Sequence, residues 1–403
     1  MEQNNIVPAH IDLRIFVETS KESWGELVSD GDSFPVIVAK LVKLGIYLPD
    51  EISYKIATNY LIATSQLLAI APILLLHGKE GTGKSSLGVL ASKLHNSPIF
   101  SASSTFAAIR NHLTKSKFAL INYETLNATG DPYYAKKKVE KDLFLVWDDI
   151  DPTLLNTDKN LYRMLKNGYN RETSITQIAS EKTGENQSFD TFSLKLLGTV
   201  SNLTTDSRYR EMARRCLTIE TARCPDSFHP IDYSLYDWDG LNNLFIGFWN
   251  DLDRVKEFPK IIKAVKVANV AGNYSVNSNQ LTISRELIAV GVVSELFPSL
   301  QDALDIWSEY WNGQGRVKKI SQQKLTDFLE ALAIEEIRQI KAFNEKHNTS
   351  IQVTIKGSEL KATLNDLLDK GDIDSYPLPK EISKVFLSLG FYQDSRNNWI
   401  KKE

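Results

Sequence analysis

The sequence of 403 residues predicts an α/β protein built on a parallel sheet. Three observations carry that expectation. Short apolar runs alternate with helix-like stretches from about residue 56 to about residue 225, among them "PILLLHG", "SPIFSA", "LFLVWDD", "LKLLGTVSN" and "CLTIET". The first of these leads straight into the glycine-rich "GKEGTGKSS". The third ends in two adjacent carboxylates.

Residues 1–55 read as a mostly helical lead-in, with apolar positions of "FPVIVAKLVKLGIYL" at helical spacing. The next segment, Ala57 to Gly78, has no Lys, Arg, Asp or Glu and is long enough to cross a membrane. It also holds Asn59, Thr64, Ser65, Gln66 and Pro72 and runs into the glycine-rich loop. A buried helix, broken at Pro72, followed by a buried strand is therefore expected, and no membrane contact.

"GKEGTGKSS" fits G-x-x-x-x-G-K-[ST] at Gly78, Gly83, Lys84 and Ser85. An apolar strand precedes it and a helix-like run from Ser86 to Leu94 follows. That context is what a phosphate loop needs. Glycines let the backbone wrap phosphates, and N–H groups at a helix start face the negative charge. The expected nucleotide contacts are Gly78, Glu80, Gly81, Thr82, Gly83, Lys84, Ser85 and Ser86. Lys84 should reach the β- and γ-phosphates, and the Ser85 hydroxyl should bind Mg²⁺. The expected cofactors are ATP and Mg²⁺.

"DLFLVWDDID" supplies the second half of a site. Leu143 to Val146 make a buried strand that Trp147 prolongs. Ligands of open α/β sheets lie beyond the carboxyl ends of strands. Asp148 is placed to hold Mg²⁺ through water, and Asp149 to orient or deprotonate an attacking water. The competing run "KFALINYE" ends in Tyr123-Glu124 and ranks below it.

In "NLYRMLKNGYNRE", Leu161, Met164, Leu165 and Tyr169 share one helical face. A hairpin follows, with strands at Ser174–Ala179 and Ser188–Phe192 joined by "SEKTGENQ", where Gly184 and Asn186 suit a tight turn. "LKLLGTVSN" then ends at Asn202, whose amide could position the lytic water or simply close a turn. Arg214 and Arg215 stand just before "CLTIET", where an arginine could complete a neighbouring subunit's site or merely be an exposed ion-paired group.

Residues 226–345 are dominated by helical patterns. Residues 346–403 read as strand, helix, short link, helix and a closing hairpin with its turn near Ser395 to Asn398. Ile382, Val385, Phe386 and Leu389 make one face of the second helix.

Composition narrows the function classes. Hydrophobic content of 42% and charged content of 24% are those of an ordinary globular protein. A net charge of −3 provides no global basic field, so contacts to DNA would have to be local. The run Lys136 to Lys138 reads best as a solvated helix face. Cys216 and Cys224 make no disulfide framework, which fits a reducing, cytoplasmic compartment. The histidines are scattered, and no zinc site is expected. The first residues, "MEQNNIVPAHIDLRIF", lack the pattern of a signal peptide.

Taken in order, "GKEGTGKSS", "LFLVWDDID", "LYRMLKNGYNRE", "TVSN" and "MARRCLTIE" resemble the AAA+ ATPases. Within them the set resembles superfamily 3 helicases and the replicative helicases of plasmids, phages and other mobile elements. The resemblance covers about residues 56–225. It implies an AAA+ P-loop core and an ATP-driven DNA helicase that assembles as a homohexameric ring. In that group, and in the similar MCM helicases, a hairpin before the sensor-1 strand projects into the ring's channel. Lys182 would then contact the phosphates of a single DNA strand, an attraction weakened by Glu181 and Glu185 beside it.

The C-terminal order resembles a winged-helix module. That implies a helix in the major groove, with Lys380, Lys384, Arg396, Lys401 and Lys402 meeting DNA, or else a protein-interaction module. No primase-like constellation is visible, so a separate primase or initiator is an expected partner. Two other functions stand beside the helicase, the first of which the sequence separates poorly from it. One is a non-helicase AAA+ regulator that binds DNA, as in transposition or defence. The other is a remodeller of protein, which the hairpin disfavours.

Overall fold

A computed structural model describes residues 31–115, 144–150, 152–179, 186–204, 207–225, 233, 238–347, 349–369 and 379–401. The chain forms two compact units. One comprises Met1–Val200 and Arg214–Trp311, the other Ser201–Ala213 and Asn312–Glu403.

The first unit opens with two helices, α1 (Phe34–Gly45) and α2 (Glu51–Ile62). The Asp50 carboxylate caps α2 by accepting the Ser53 N–H at 2.6 Å. The expected break at Pro72 comes much earlier, because α2 stops at Ile62 and Ala63 turns extended. The reason is that the backbone beyond it finds partners outside a helix. Arg171 donates to the carbonyls of Ser65 and Leu68, and buried Glu286 accepts the N–H groups of Ala69 and Ile70. Those bonds satisfy groups that a helix would otherwise have paired.

The sheet contains β1 (Ile73–His77), β2 (Ile99–Phe100), β3 (Phe144–Trp147), β6 (Leu194–Thr199) and β7 (Cys216–Glu220). Its order is β2-β3-β6-β1-β7, and every neighbouring pair is parallel. All five residues of β1 and all six of β6 are buried, as expected of a parallel sheet covered on both faces. The expectation of apolar strands fails at Lys195. This lysine is fully buried in β6, with its ammonium donating to the carbonyls of Gly168 at 2.6 Å and Ser193 at 2.8 Å. Those carbonyls compensate the buried charge.

Helix α3 (Lys84–Leu94) follows β1, and α4 (Phe106–Lys115) follows β2. Helices α5 (Pro152–Thr157) and α6 (Lys159–Asn167) lie between β3 and the hairpin β4 (Ile175–Ala179)–β5 (Asn186–Asp190). Asp158 caps α6 by accepting N–H bonds from Asn160 and Leu161, both at 3.0 Å. Its apolar face buries Leu161, Met164 and Leu165. The short α7 (Arg210–Ala213) belongs to the second unit. The first unit is completed by α8 (Trp238–Trp249), α9 (Leu252–Val270), α10 (Ser278–Val293) and the start of α11 (Leu300–His347). Asn277 and Gln280 close a reciprocal capping box on α10.

The second unit contains a three-stranded antiparallel sheet, ordered β8 (Thr354–Ile355), β10 (Trp399–Lys401), β9 (Phe391–Gln393). Helices α12 (Gly357–Asp369) and α13 (Pro379–Ser388) accompany it. Its core joins Leu329 and Ala333 of α11 to Leu364, Val385, Phe386 and Trp399. Phe386 stacks on Trp399 with ring centroids 5.1 Å apart. Among the described residues, no helix is long and apolar enough to cross a membrane.

Candidate active site

Parallel strands in register bring distant segments to one edge. His77 pairs with both Thr199 of β6 and Glu220 of β7, and Trp147 of β3 pairs with Leu197. The residues that follow these strands, Gly78, Asp148 and Thr221, therefore emerge together at the carboxyl edge of the sheet.

The phosphate loop is built by two constraints. Gly83 caps α3 with a φ of 83°, a left-handed conformation that favours glycine. Gly78 lies so close to the end of β7 that a Cβ would stand 2.3 Å from Thr221 Oγ1. Lys84 is only 6% exposed, and its Nζ donates to the carbonyls of Gly78 at 2.7 Å and Lys79 at 2.9 Å. Burial lowers its pKa, while the charges of Asp149, Asp148 and Glu80 oppose that lowering. Glu80, Gly81 and Ser85 are exposed, Thr82 is buried, and Ser86 is half-buried with its N–H donating to Gly83 O at 3.0 Å.

The aspartate pair is held from both sides. The Asp148 N–H donates to Phe100 O at 2.9 Å, and the Ile150 N–H donates to Gly198 O at 2.8 Å. Between these anchors Asp149 takes a φ of 51°, and its N–H donates to Asp148 Oδ1 at 3.2 Å. A non-glycine residue in the left-handed region is a conformational cost that the surroundings must impose. The result leaves the Asp149 side chain exposed beside the half-buried Asp148. Gly198 faces Asp148, where an added Cβ would come within 3.0 Å of Asp148 Oδ1.

This donor set fits a magnesium-bound nucleoside triphosphate. A helix N-terminus and a lysine suit phosphate, and a serine hydroxyl with two carboxylates offers the hard oxygen ligands that Mg²⁺ prefers.

Arg214 and Arg215 stand at the amino end of β7, a strand length or about 16 Å from the loop edge. Arg215 stacks its guanidinium over Tyr169 at 4.6 Å, while Arg214 is exposed. Asn202 belongs to the second unit, where its Oδ1 accepts from the N–H of Thr204 at 3.0 Å and its hydroxyl at 2.6 Å.

The β4–β5 hairpin pairs Ile175 with Asp190 and Ala179 with Asn186. The second strand thus ends at Asp190 rather than Phe192, because Thr191 and Phe192 serve the base. The Thr191 N–H and hydroxyl both donate to Ser174 O, and Asp190 Oδ1 accepts from Ser174 Oγ and the Phe192 N–H. Arg171 stacks over Phe192 at 4.1 Å, and Arg110 of α4 stacks over Phe189 at 3.8 Å. Lys182 lies outside the described residues, as do Glu181, Glu185, Tyr123, Glu124, Lys136 to Lys138 and Lys402.

In the second unit Lys380, Lys384 and Arg396 are exposed. Lys401 is engaged internally: its ammonium donates to Leu389 O and lies 5.5 Å from the Phe391 ring centroid.

Sequence reasoning missed Thr221. Its Oγ1 lies 2.6 Å from Thr82 Oγ1, and its N–H donates to His77 O at 2.7 Å. The signal was present in "CLTIET", a buried strand that ends in a polar residue at the same edge as Asp148.

No family model and no curated protein matches the chain. Among solved structures, one described as "SCCmec type IV Cch - active helicase" is similar over 86% of this chain, at 12% identity and a TM-score of 0.33. The match covers 66% of that protein, just under two thirds of its length.

Proposed function

We propose that this chain is an ATP-hydrolysing motor of the AAA+ type that acts on DNA, with superfamily 3 and MCM-like helicases as the group it resembles. The observation that carries the reading is the convergence at one sheet edge. The phosphate loop follows β1 and the aspartates follow β3, both at the carboxyl edge of one sheet, which supports reading them as a single site. The nucleotide with its Mg²⁺ would be held by the loop from Gly78 to Ser86, with Ser85 and Asp148 as metal-side ligands. Bound there, it supplies a phosphoanhydride that water can cleave. Lys84 neutralises phosphate charge, and exposed Asp149 orients the attacking water and takes its proton.

The arginines cannot reach their own loop across the length of β7, so any catalytic role must be exercised on a neighbouring copy. Arg214 is the more exposed of the two, and Arg215 stacks over Tyr169. The ring-forming assembly rests on the family resemblance, and the arginines are its test. The hairpin strands are braced at their base by Ser174, Asp190 and Arg171, which supports reading the hairpin as the DNA-tracking element of the resembled group. A winged-helix reading of the second unit rests on its three-stranded sheet, its helices and exposed Lys380, Lys384 and Arg396.

The test is ATP-dependent strand displacement on a forked DNA duplex, wild type beside Lys84→Ala. Displacement by the wild type alone supports the helicase. DNA-stimulated hydrolysis without displacement moves the reading to a DNA-binding regulator. Hydrolysis indifferent to DNA contradicts a DNA-acting motor.

A further inference from the structure

We propose that Thr221 is a positioning residue for the phosphate loop, a hydroxyl clamp that sets nucleotide affinity from the end of β7. The inference rests on the nucleotide reading of that loop. It starts from a chain of three short contacts. Thr82 Oγ1 lies 2.8 Å from Lys79 O and 2.6 Å from Thr221 Oγ1, which lies 3.1 Å from His77 O. Both threonines are buried, at 6% and 4% exposure.

Two hydroxyls carry one proton each, so at most two of the three contacts can be hydrogen bonds at a time. If both protons went to the carbonyls, two oxygens would face each other at 2.6 Å without a proton between them. One proton must therefore sit between the threonines, and it joins the loop to the strand in either arrangement.

The clamp acts at two points of the loop. Thr82 is held at its far side. Gly78, at its start, packs against Thr221 Oγ1 and the Thr221 carbonyl, which a Cβ there would approach to 2.3 and 2.5 Å. The Thr221 N–H bond to His77 O fixes the clamp itself to β1. A loop tethered at both points loses less freedom when phosphate binds, and preorganisation of this kind raises affinity. Thr221 touches neither of the carboxylates that would do chemistry. Its contribution falls on the shape of the loop.

The experiment measures binding of Mg–ADP to the full chain by calorimetry, for wild type, Thr221→Val, Thr221→Ser, Thr82→Val and the Thr82→Val/Thr221→Val double variant. Valine keeps the shape of threonine and removes the hydroxyl, and the nucleotide-free unfolding midpoint serves as the fold control. Thr221→Val should weaken binding roughly 3- to 10-fold, the worth of one hydrogen bond. Thr221→Ser should restore most of it. The double variant should be no weaker than the worse single variant, because both remove the same bond. Wild-type affinity in Thr221→Val, or additive losses in the double variant, would overturn the clamp alone. Failure of the wild type itself to bind Mg–ADP would overturn both the clamp and the nucleotide reading.

Discussion

The two ends of the first unit's sheet are built by different means. The carboxyl edge gathers polar groups from a helix start and from strand ends: Lys84, Asp148, Asp149 and Thr221. Asp149 is exposed there in a left-handed conformation, while Lys84 and Thr221 are buried against main-chain carbonyls. The amino edge is a brace. There Arg171, Glu286 and Lys195 bond main-chain groups, among them those of distant segments. From that brace the β4–β5 hairpin and the two arginines arise. On the proposed reading one end serves chemistry while the other ties segments together, and substitutions should separate them.

The largest effect is expected at the carboxyl edge. Asp149→Asn should lower ATP hydrolysis by about 10²- to 10⁴-fold, the usual worth of a general base. Its thermal unfolding midpoint should stay close to wild type, because the side chain is exposed. A parallel loss of stability would blur the distinction between the two ends.

The next effect belongs to the brace. Burial pushes the Glu286 carboxyl up to about 7, although the Ile70 N–H and Arg285 pull it down. In the unfolded chain the group titrates near its ordinary value of 4.5. Between those values the folded protein keeps a proton that the unfolded chain has released. The stabilisation is therefore complete below about pH 4.5 and is lost as pH rises through about 7. The swing is at most roughly 3 kcal/mol. Glu286→Gln keeps an acceptor for Ala69 and Ile70 and should flatten this slope, as read by urea unfolding across that pH range.

Gly198→Ala should have a smaller, chemical effect. The new Cβ would crowd Asp148 Oδ1 at 3.0 Å, so hydrolysis should fall roughly 3- to 10-fold, about 1 kcal/mol, with little change in folding. The smallest effect is expected for Arg215→Lys. It trades a stacked guanidinium over Tyr169 for a weaker cation–π contact and should cost roughly 0.5–1 kcal/mol of stability. Hydrolysis per folded molecule should hold in dilute protein.

The contrast also explains what could be read from the sequence. The carboxyl edge is announced by local patterns. "GKEGTGKSS" must follow a strand and start a helix, and "LFLVWDD" must end where its apolar run ends, as β1, α3 and β3 do. The amino edge depends on contacts between segments far apart in the chain. Glu286 bonds to residues 69 and 70, and Lys195 reaches Gly168 from the start of an apparently apolar strand. No periodicity signals such partners. Strand order was hidden for the same reason, since register between segments leaves no local trace. The end of α2 at Ile62 rather than Pro72 follows from Arg171 and Glu286. Thr221 fell between the two cases: its place at a strand end was legible, but its partner Thr82 was not.

The most direct test of the account is phosphate release from Mg–ATP by the full chain, wild type beside Lys84→Ala and Asp149→Asn. Magnesium-dependent release by the wild type is expected, with loss in both variants and Mg–ADP binding retained by Asp149→Asn but not by Lys84→Ala. Release by Lys84→Ala at the wild-type rate, or no release by the wild type, would contradict it.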